Sequence, residues 1–422
     1  MDFRALPDGD VTLTNVTVPA CLIGADGDLV RTRLSLAGGR IVAEDQPQVV
    51  DMAGAMALPA FTDMHTHLDK GHIWGRAPNP DGTFTGALTT VAQDRAANWR
   101  AEDVRARMEF GLRCAYAHGT RALRTHLDSI PPQDGITWPI FRELRADWAG
   151  RVALQGVSLI GCDAVEPDGA FRRTADIVAE SGGVLGMVAY PIPDLRERLL
   201  GVLDMAARRG LSVDFHVDET MDPEAECLRM IAETVVETGF AGRVVVGHLC
   251  SLSTQDEARA LSTLDLVAAA GLHIVSLPMC NLYLQDRQPG RTPRRRGITL
   301  VHEAGARGIP VSFASDNTRD PFYAYGDLDM LEVLRQATRI GHLDHSARDW
   351  VRSVTTTPAA TCGFEPPSLA PGVAADLTLF RAREWTELFA RPQSDRIVLR
   401  NGKAIDRTLP DYADLDHLME TA

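Results

Sequence analysis

Two histidines separated by one residue, His65 and His67, lie in the segment "DMHTHLDK", which ends in Lys70. In an extended strand, residues i and i+2 point to the same face about 7 Å apart, so both imidazoles can reach one metal ion. On a helix the same spacing directs the two side chains to different sides. The motif alone is equally typical of two hydrogen-bonded histidines at a strand end, so the other histidines must decide between these interpretations.

Further histidines and a carboxylate occur where apolar runs end. The runs "VDFHVDE" and "VVVGHLC" lead to His216 and His248, and "VSFASDN" leads to Asp316. Core packing explains these histidines poorly, because an unpaired imidazole is costly to bury. We therefore interpret His65, His67 and His216 as metal ligands and Asp316 as an oxygen ligand that also accepts a proton. His248 either binds the ion or lies just outside its ligand set.

This donor set selects the kind of metal. Three histidines and one carboxylate suit Zn²⁺ or Fe²⁺, whereas Mg²⁺ and Ca²⁺ prefer oxygen ligands. A second ion, bridged to the first at a site of this kind, commonly needs a nearby lysine that carbon dioxide has modified. The chain has only two lysines, Lys70 and Lys403. The apolar run "VLGMVAY", where a bridging lysine would be expected, contains none. We expect one divalent ion, which would lower the pKa of bound water from about 16 to about 7 and so favour hydrolysis.

Glu219 is a candidate proton carrier because it follows His216 by three residues. A carboxylate beside the metal can take a proton from water and pass it to a ring nitrogen or a leaving group. Strand parity would point Glu219 away from His216, so this role requires the strand to end near Val217. An exposed glutamate in the acidic loop "DETMDPEAE" explains the residue equally well.

The elements that carry these residues alternate between short β-rich runs and helical segments from Leu58 to about Cys362. Helical stretches such as "GLRCAYAHG" and "LLGVLDMAARRG" end in glycine, as helix C-termini often do. Repeated βα units predict an α/β fold, a (β/α)8 TIM-like barrel whose active site lies at the carboxyl ends of the strands. The eight predicted strands are Leu58–Thr66, Arg121–Leu127, Val152–Ile160, Val184–Tyr190, Ser212–Val217, Val244–His248, His273–Leu277 and Pro310–Ser315.

Both chain ends have a different pattern. The runs "VTLTNVTV", "RTRLSLAGGRIVAE", "ADLTLFRA" and "DRIVLRNGKAI" alternate as strands do and contain Gly-Gly, Asn-Gly and Gly-Lys turns. We predict a small β-sandwich formed by residues 1–56 and 366–422, with a hydrolase barrel at residues 57–365.

Composition limits the partners of this chain of 422 residues. A net charge of −14 would repel a phosphate backbone, so a nucleic acid polymer is not expected. The acidic N-terminus does not resemble a signal peptide, and no apolar run is long enough to span a bilayer, so we expect no membrane association and a cytoplasmic location. Seven scattered cysteines without a Cys-x-x-Cys pair agree with reduced thiols. The sequence does not determine the oligomeric state, and a homo-oligomer is one option.

An ordered series of segments resembles the amidohydrolase superfamily and, within it, the cytosine deaminase branch. The segments are "HTHLDK", "GTRALRTHLD", "DFHVDE", the Gly247–His248 pair, "NLYLQDR", "RRRGIT" and "SDNTRDPFYAYG". The resemblance implies a single Fe²⁺ or Zn²⁺ held by His65, His67, His216 and Asp316. It also implies that Glu219 shuttles the proton, that His248 orients water and substrate, and that Asp316 moves the remaining proton.

The substrate implied is a small heterocycle: cytosine or a related aminated pyrimidine that loses ammonia. Two departures concern this specificity. Gly161 and Cys162 stand where typical cytosine deaminases carry a glutamine, and Asn317 stands where they carry a second aspartate. The patterns "HTHxDK" and "ASDNxRD" instead resemble N-isopropylammelide amidohydrolases, in which a lysine equivalent to Lys70 contacts substrate. The alternative function is hydrolysis of an N-substituted aminotriazine or another cyclic amidine or amide.

Further residues are candidates for the ring pocket or its surroundings. Gln285 in "NLYLQDR" and Phe322 in "DPFYAYG" could line the pocket, Phe322 by packing more than by stacking. We also expect Arg124 to form a structural pair with Asp128, and the arginine run at residues 291–297 to be a solvated loop. A non-catalytic barrel that keeps a structural metal is disfavoured, because proton-transfer groups accompany the ligands.

Overall fold

The computed structural model describes residues 6, 9–166, 169–346 and 349–419. Its strands are β1 (Val11–Pro19), β2 (Leu29–Ala37), β3 (Arg40–Val42), β4 (Val49–Asp51), β5 (Met56–Pro59), β6 (Phe61–Thr66), β7 (Thr120–Asp128), β8 (Ala153–Leu159), β9 (Leu185–Ala189), β10 (Val213–Val217), β11 (Val244–His248), β12 (His273–Ser276), β13 (Val311–Phe313), β14 (Leu377–Phe380), β15 (Ile397–Arg400) and β16 (Lys403–Ala404). Strands β6 to β13 lie within one residue or a few of the eight strands predicted from the sequence.

Helices follow or precede these strands along the whole chain. They are α1 (Phe84–Asn98), α2 (Ala101–His118), α3 (Asp134–Asp147), α4 (Ala170–Glu180), α5 (Leu195–Arg209), α6 (Cys227–Thr238), α7 (Glu257–Ala269), α8 (Pro278–Leu284), α9 (Val301–Ala306), α10 (Met330–Gly341), α11 (Thr356–Cys362), α12 (Trp385–Ala390) and α13 (Asp416–Met419). Helices α2 and α5 end before Gly119 and Gly210, whose φ angles of 105° and 64° are left-handed. The prediction of glycine at these helix ends is therefore confirmed.

The strands that carry the candidate site are parallel. One sheet has the order β13-β12-β11-β10-β9 and another has the order β6-β7-β8. Isolated parallel bridges link them, with Thr66 facing Asp316 at one junction and Val157 facing Val184 at the other. Alternating helices and parallel strands give an α/β fold, and they bring the carboxyl ends of β6, β10, β11 and β13 to the same side.

Strands from both chain ends form a separate mixed sheet with the order β16-β15-β14-β5-β1-β2-β3, in which β4 also pairs with β1. All of the strand-like runs predicted at the two ends are strands of this sheet. Its apolar side chains, including Leu13, Leu36, Leu377 and Leu399, form a buried cluster of their own. A much larger cluster packs the helices against the parallel strands.

Within the described ranges, every helix is too short or too polar to cross a lipid bilayer.

Candidate active site

Four side chains meet at the carboxyl ends of the parallel strands. His65 lies near the end of β6, His67 just beyond it, His216 in β10, and Asp316 in the turn after β13. The Nε2 atom of His216 lies 3.1 Å from Nε2 of His65 and 3.2 Å from Nε2 of His67. The Asp316 Oδ1 atom lies 3.4 Å from His65 Nε2 and 3.2 Å from His67 Nε2. The structure thus brings together all four predicted metal ligands.

The free polar atoms of this cluster fit a metal ion. The Nε2 atoms of His65 and His67 face Nε2 of His216 and Oδ1 of Asp316 at 3.1–3.4 Å. Both carboxylate oxygens of Asp316 are buried and have no hydrogen-bond partner in the described part of the chain. Buried polar atoms without partners are expensive, and nitrogens that face one another cannot all be donors. A divalent cation among these four groups would satisfy the converging atoms, and three imidazoles with one carboxylate suit Zn²⁺ or Fe²⁺.

Electrostatics hold the cluster in the protonation states that metal ligands need. Burial, and then the Lys70 ammonium, keep the pKa of His67 well below its ordinary value. Burial, and then the neighbouring ring of His65, do the same for the pKa of His216. Burial alone would raise the pKa of Asp316, but His65 and His67 outweigh it and keep that pKa well below its usual range. Neutral imidazoles and an ionised carboxylate are the binding forms.

A fourth histidine, His126 of β7, also belongs to this cluster. Its ring centroid lies 4.0 Å from that of His65, and one of its nitrogens lies within 4.8 Å of ligand atoms of His65, His67 and His216. Both of its nitrogens are buried without a hydrogen bond in the described residues. Burial, and then the neighbouring ring of His65, lower the pKa of His126 to about 4, so the His126 ring is neutral.

The expected Arg124–Asp128 pair is wrong. Arg124 Nη1 lies 2.6 Å from Oδ2 of Asp214 in β10, and both side chains are almost fully buried. Arg124 and Asp128 are four residues apart on one strand, so about 13 Å of backbone separates them. Asp128 instead pairs with Lys70 and with Arg95.

Glu219 turns toward the cluster because its strand ends. Strand β10 stops at Val217, and Asp218 adopts a φ of 49° while its carboxylate accepts hydrogen bonds from the backbone nitrogens of Cys227 and Leu228. The Glu219 Oε1 atom then lies 3.3 Å from Nδ1 of His248. Burial, and then the negative charge of Asp316, raise the pKa of Glu219 well above its ordinary value. The carboxyl group is largely buried and takes up a proton more readily than a glutamate in a solvated loop.

Lys70 is buried near Glu219 and keeps its charge. Its Nζ atom lies 3.1 Å from Oδ1 of Asp128 and 5.3 Å from the centre of the Phe322 ring. Burial alone would lower the pKa of Lys70, but Asp128 and Asp69 outweigh it and raise that pKa. The other carboxylate oxygen of Asp128 accepts from Arg95 at 2.7 Å, so two cations share this aspartate.

The remaining predicted substrate residues lie in different surroundings. Asn317 donates to Oδ2 of Asp320 at 2.7 Å, and Gln285 donates to the backbone oxygen of Glu219 at 3.2 Å. Phe322 packs edge-on against Phe84. Gly161 forms a bridge with Val188, and a Cβ atom there would lie 2.9 Å from the Tyr190 hydroxyl oxygen, so the position has little room for a side chain.

Sequence reasoning missed three residues of this site. Asn281 contacts both Glu219 and His248, Cys280 has its sulfur within 4.8 Å of ligand atoms of Glu219 and Asp316, and Asp128 holds Lys70. A signal for Asn281 was present, because Asn281 and Gln285 are four residues apart in "NLYLQDR" and so share a helix face.

Comparisons with known proteins agree with this geometry. The sequence profile of the amidohydrolase family matches residues 181–405. Pterin deaminase of Rhizobium rhizogenes is 52% identical over 417 residues, which cover 96% of this chain and 95% of that protein. The structure of 5-methylcytosine deaminase from Klebsiella pneumoniae liganded with 5-fluorocytosine superposes with a TM-score of 0.80 at 26% identity, covering 93% of this chain and 97% of that one.

A second solved structure shares the fold. It is N-isopropylammelide isopropylaminohydrolase from Burkholderia multivorans, with a TM-score of 0.72 and 24% identity over 95% of this chain and 100% of that one. Together with these relatives, the α/β fold and the histidine-rich cluster indicate a hydrolase that acts on carbon–nitrogen bonds. The chain belongs to the amidohydrolase family.

Proposed function

We propose that this protein is a hydrolytic deaminase of pterin or a closely related 2-amino-4-oxo heterocycle, in which water replaces the amino group and ammonia is released. The observation that carries the proposal is 52% identity to a pterin deaminase across 96% of the chain. The aminopyrimidine half of pterin has the edge of isocytosine, so this proposal keeps the cyclic amidine chemistry inferred from the sequence and enlarges the ring.

In this proposal His65, His67, His216 and Asp316 hold one Zn²⁺ or Fe²⁺, and His126 lies against them as a neutral ring. The ion, when bound, would supply the activation of water that hydrolysis near neutral pH requires. The support is the convergence of three buried Nε2 atoms on Asp316, whose carboxylate oxygens have no hydrogen-bond partner in the described part of the chain.

The chain's own groups would move the protons. Glu219, whose raised pKa lets it carry a proton, would protonate the ring nitrogen beside the amino-bearing carbon. His248, 3.3 Å from Glu219, would orient the oxygen that adds to this carbon. Asp316 would pass the remaining proton to the departing ammonia. A protonated ring nitrogen makes the carbon a better electrophile, because it accepts the electron pair that addition displaces.

The substrate ring would lie between Lys70 and the residues after Asp316. The buried ammonium of Lys70 would donate to a ring carbonyl oxygen, and Phe322 would pack against the ring. Asn317 would bind the ring edge through the amide oxygen, since its nitrogen is engaged by Asp320. Gln285 would act beside Glu219, and Gly161 would present only its backbone to the ring, since a side chain there would meet Asp163 and Tyr190.

A second candidate function is deamination of cytosine or 5-methylcytosine. The superposition on 5-methylcytosine deaminase, with 26% identity and a TM-score of 0.80, favours it. A third candidate is release of an alkylamine from an N-substituted aminotriazine, which the position of Lys70 in "HTHLDK" supports.

We also propose that strands β6 to β13 close into a (β/α)8 barrel that ends near residue 365, and that both chain ends form a β-sandwich domain. The bridge between Thr66 and Asp316 and the bridge between Val157 and Val184 support closure at both junctions. The separate buried cluster around Leu13 and Leu377 supports a second domain. Because Met56–Pro59 pairs with β14, we place the first domain boundary near residue 60.

The test is a product-release assay on zinc- and iron-loaded enzyme with pterin, isocytosine, cytosine, 5-methylcytosine and N-isopropylammelide. We expect ammonia and the 2-oxo product from pterin, with kcat/KM at least tenfold above that for cytosine. Glu219→Gln should reduce kcat by roughly 10²- to 10⁴-fold while retaining the metal, because the proton carrier is lost. Turnover of cytosine or 5-methylcytosine alone would favour cytosine deamination. Release of alkylamine alone would favour hydrolysis of an N-substituted aminotriazine. An absence of turnover with all five compounds would overturn deamination.

A further inference from the structure

Asn281 is a fully buried side chain on α8 that touches two groups of the proposed mechanism. Its Nδ2 atom lies 3.0 Å from Nδ1 of His248 and 3.3 Å from Oε1 of Glu219. Its exposed fraction is 0%. The inference below rests on the roles proposed for His248 and Glu219.

The contact with Asn281 determines which nitrogen of His248 carries the proton. An amide nitrogen donates hydrogen bonds and does not accept them, so Nδ1 of His248 must be the acceptor. A neutral imidazole that accepts at Nδ1 has its hydrogen on Nε2. The same Nδ2 atom lies 3.3 Å from Oε1 of Glu219, a carboxyl oxygen that can accept a hydrogen bond, so both contacts agree with the amide nitrogen facing these two groups.

The other nitrogen of His248 is available for chemistry. His248 Nε2 is buried and has no hydrogen-bond partner in the described residues. The ring centroid of His248 lies 4.9 Å from that of His216, and a ring nitrogen of His248 lies within 4.8 Å of ligand atoms of His65 and Asp316. An Nε2–H group in this position is a fixed donor beside the metal cluster.

Helix α8 holds Glu219 at two points. The Asn281 amide binds the carboxyl group, and the Gln285 amide one turn later binds the backbone oxygen of the same residue at 3.2 Å. Residues i and i+4 lie on one face of a helix, so both amides reach Glu219 together. Since Glu219 follows the end of β10 in a loop, these contacts are what fix its carboxyl group relative to His248.

We propose that Asn281 is a positioning residue that fixes His248 as its Nε2–H tautomer and aims the carboxyl group of Glu219. In that tautomer His248 donates to the oxygen that adds to the substrate ring, where negative charge develops. Preorganised donors of this kind contribute much of the stabilisation of such oxygens. Asn281 itself does not touch the reacting atoms.

The tautomer is measured directly by NMR on the zinc-loaded full chain labelled with [15N]histidine. Two-bond 1H–15N correlations distinguish protonated from unprotonated ring nitrogens, and the spectrum of His248→Gln assigns the His248 signals. We expect a proton on Nε2 in the wild type. Asn281→Asp, which turns the donor into an acceptor of the same size, should move it to Nδ1. A wild-type His248 protonated on Nδ1 would overturn the proposal, and this measurement needs no variant of Asn281 to fold.

Kinetics separate positioning from a structural effect. Asn281→Asp and Asn281→Leu should lower kcat by roughly 10²- to 10³-fold, comparable to loss of one preorganised donor, with KM changed less than about threefold and zinc content unchanged. Leu282→Ala, which alters an exposed neighbour on the same helix, is the matched control and should keep wild-type kcat. Wild-type kcat in both Asn281 variants would contradict the proposal. If the wild type deaminates none of the heterocycles, the proposed function fails, while the NMR result still decides the tautomer.

Discussion

The charged state of each buried residue in the site depends on its ion-pair partners, and Lys70 is the clearest case. A buried ammonium is tolerable here because Asp128 lies 3.1 Å away, and Asp128 in turn has a second cation in Arg95. Removal of Lys70 therefore leaves Asp128 with a partner, so the variant tests function more than folding. Few buried ion pairs allow function to be tested separately from folding, because deletion of one partner usually leaves an isolated charge.

Lys70→Met should reduce kcat/KM for pterin by roughly 10- to 100-fold, since a hydrogen bond from a charged donor contributes about 1.5–3 kcal/mol. We expect most of the loss in KM, because the carbonyl oxygen is bound in the ground state as well. Steady-state kinetics on zinc-loaded protein measures it. Lys403→Met, which alters the chain's other lysine at an exposed position of β16, is the control and should be silent. Equal kcat/KM in wild type and Lys70→Met would exclude Lys70 from substrate binding.

At the scale of elements, local sequence patterns predicted strands well and contacts between strands less well. All eight strands β6 to β13 and the terminal strands β1 to β3 and β14 to β16 were predictable, because alternation and glycine at helix ends are local signals. The short strands β4 and β5 of the terminal sheet were not predicted. The turn of Glu219 was correctly tied to the end of its strand near Val217. The partner of Arg124 was not predictable, since Asp214 comes from a distant strand and only the tertiary arrangement brings the two together.

Helix α10 is joined to the terminal sheet by one buried ion pair, which gives a prediction at this scale. Asp329 accepts from the backbone nitrogen of Leu331 at the start of α10, and its Oδ1 lies 2.7 Å from Nη1 of Arg396, which precedes β15. Asp329→Asn should lower the free energy of unfolding by roughly 3 kcal/mol, because it leaves the buried guanidinium without its counter-charge. Urea denaturation measures this. Asp204→Asn, which breaks an exposed pair with Arg208, should change it by less than about 1 kcal/mol.

The same pair predicts a pH dependence of stability. Burial alone would raise the pKa of Asp329, but Arg396 outweighs it and lowers that pKa from 3.8 to about 2. A carboxyl group with a lowered folded pKa stabilises the protein above its unfolded pKa and loses this effect as pH falls through the folded value. Wild type should therefore lose its advantage over Asp329→Asn between about pH 4 and pH 2. A constant difference across that window would show that the ion pair does not titrate as described.

On the scale of the whole molecule, the candidate metal ligands connect parallel strands that are remote in sequence. His65 lies in β6 and His67 just after it, His216 lies in β10, and Asp316 lies in the turn after β13. The bridge between Thr66 and Asp316 joins the first and last of these strands beside the ligands themselves. An ion bound here would therefore stabilise the folded chain as a unit, because the unfolded chain does not hold the four groups together.

Metal binding should accordingly raise the unfolding temperature of the whole protein. At a zinc concentration about a thousandfold above the dissociation constant, the folded state should gain roughly 4 kcal/mol over chelator-treated protein. Differential scanning calorimetry with and without zinc measures the shift. Unfolding should be a single transition if the parallel sheets and the terminal sheet unfold together. His216→Ala should abolish the zinc-dependent shift because it removes one ligand. His345→Ala, whose side chain is 97% exposed, should retain it. A His216→Ala variant that keeps the full shift would place the stabilising ion elsewhere.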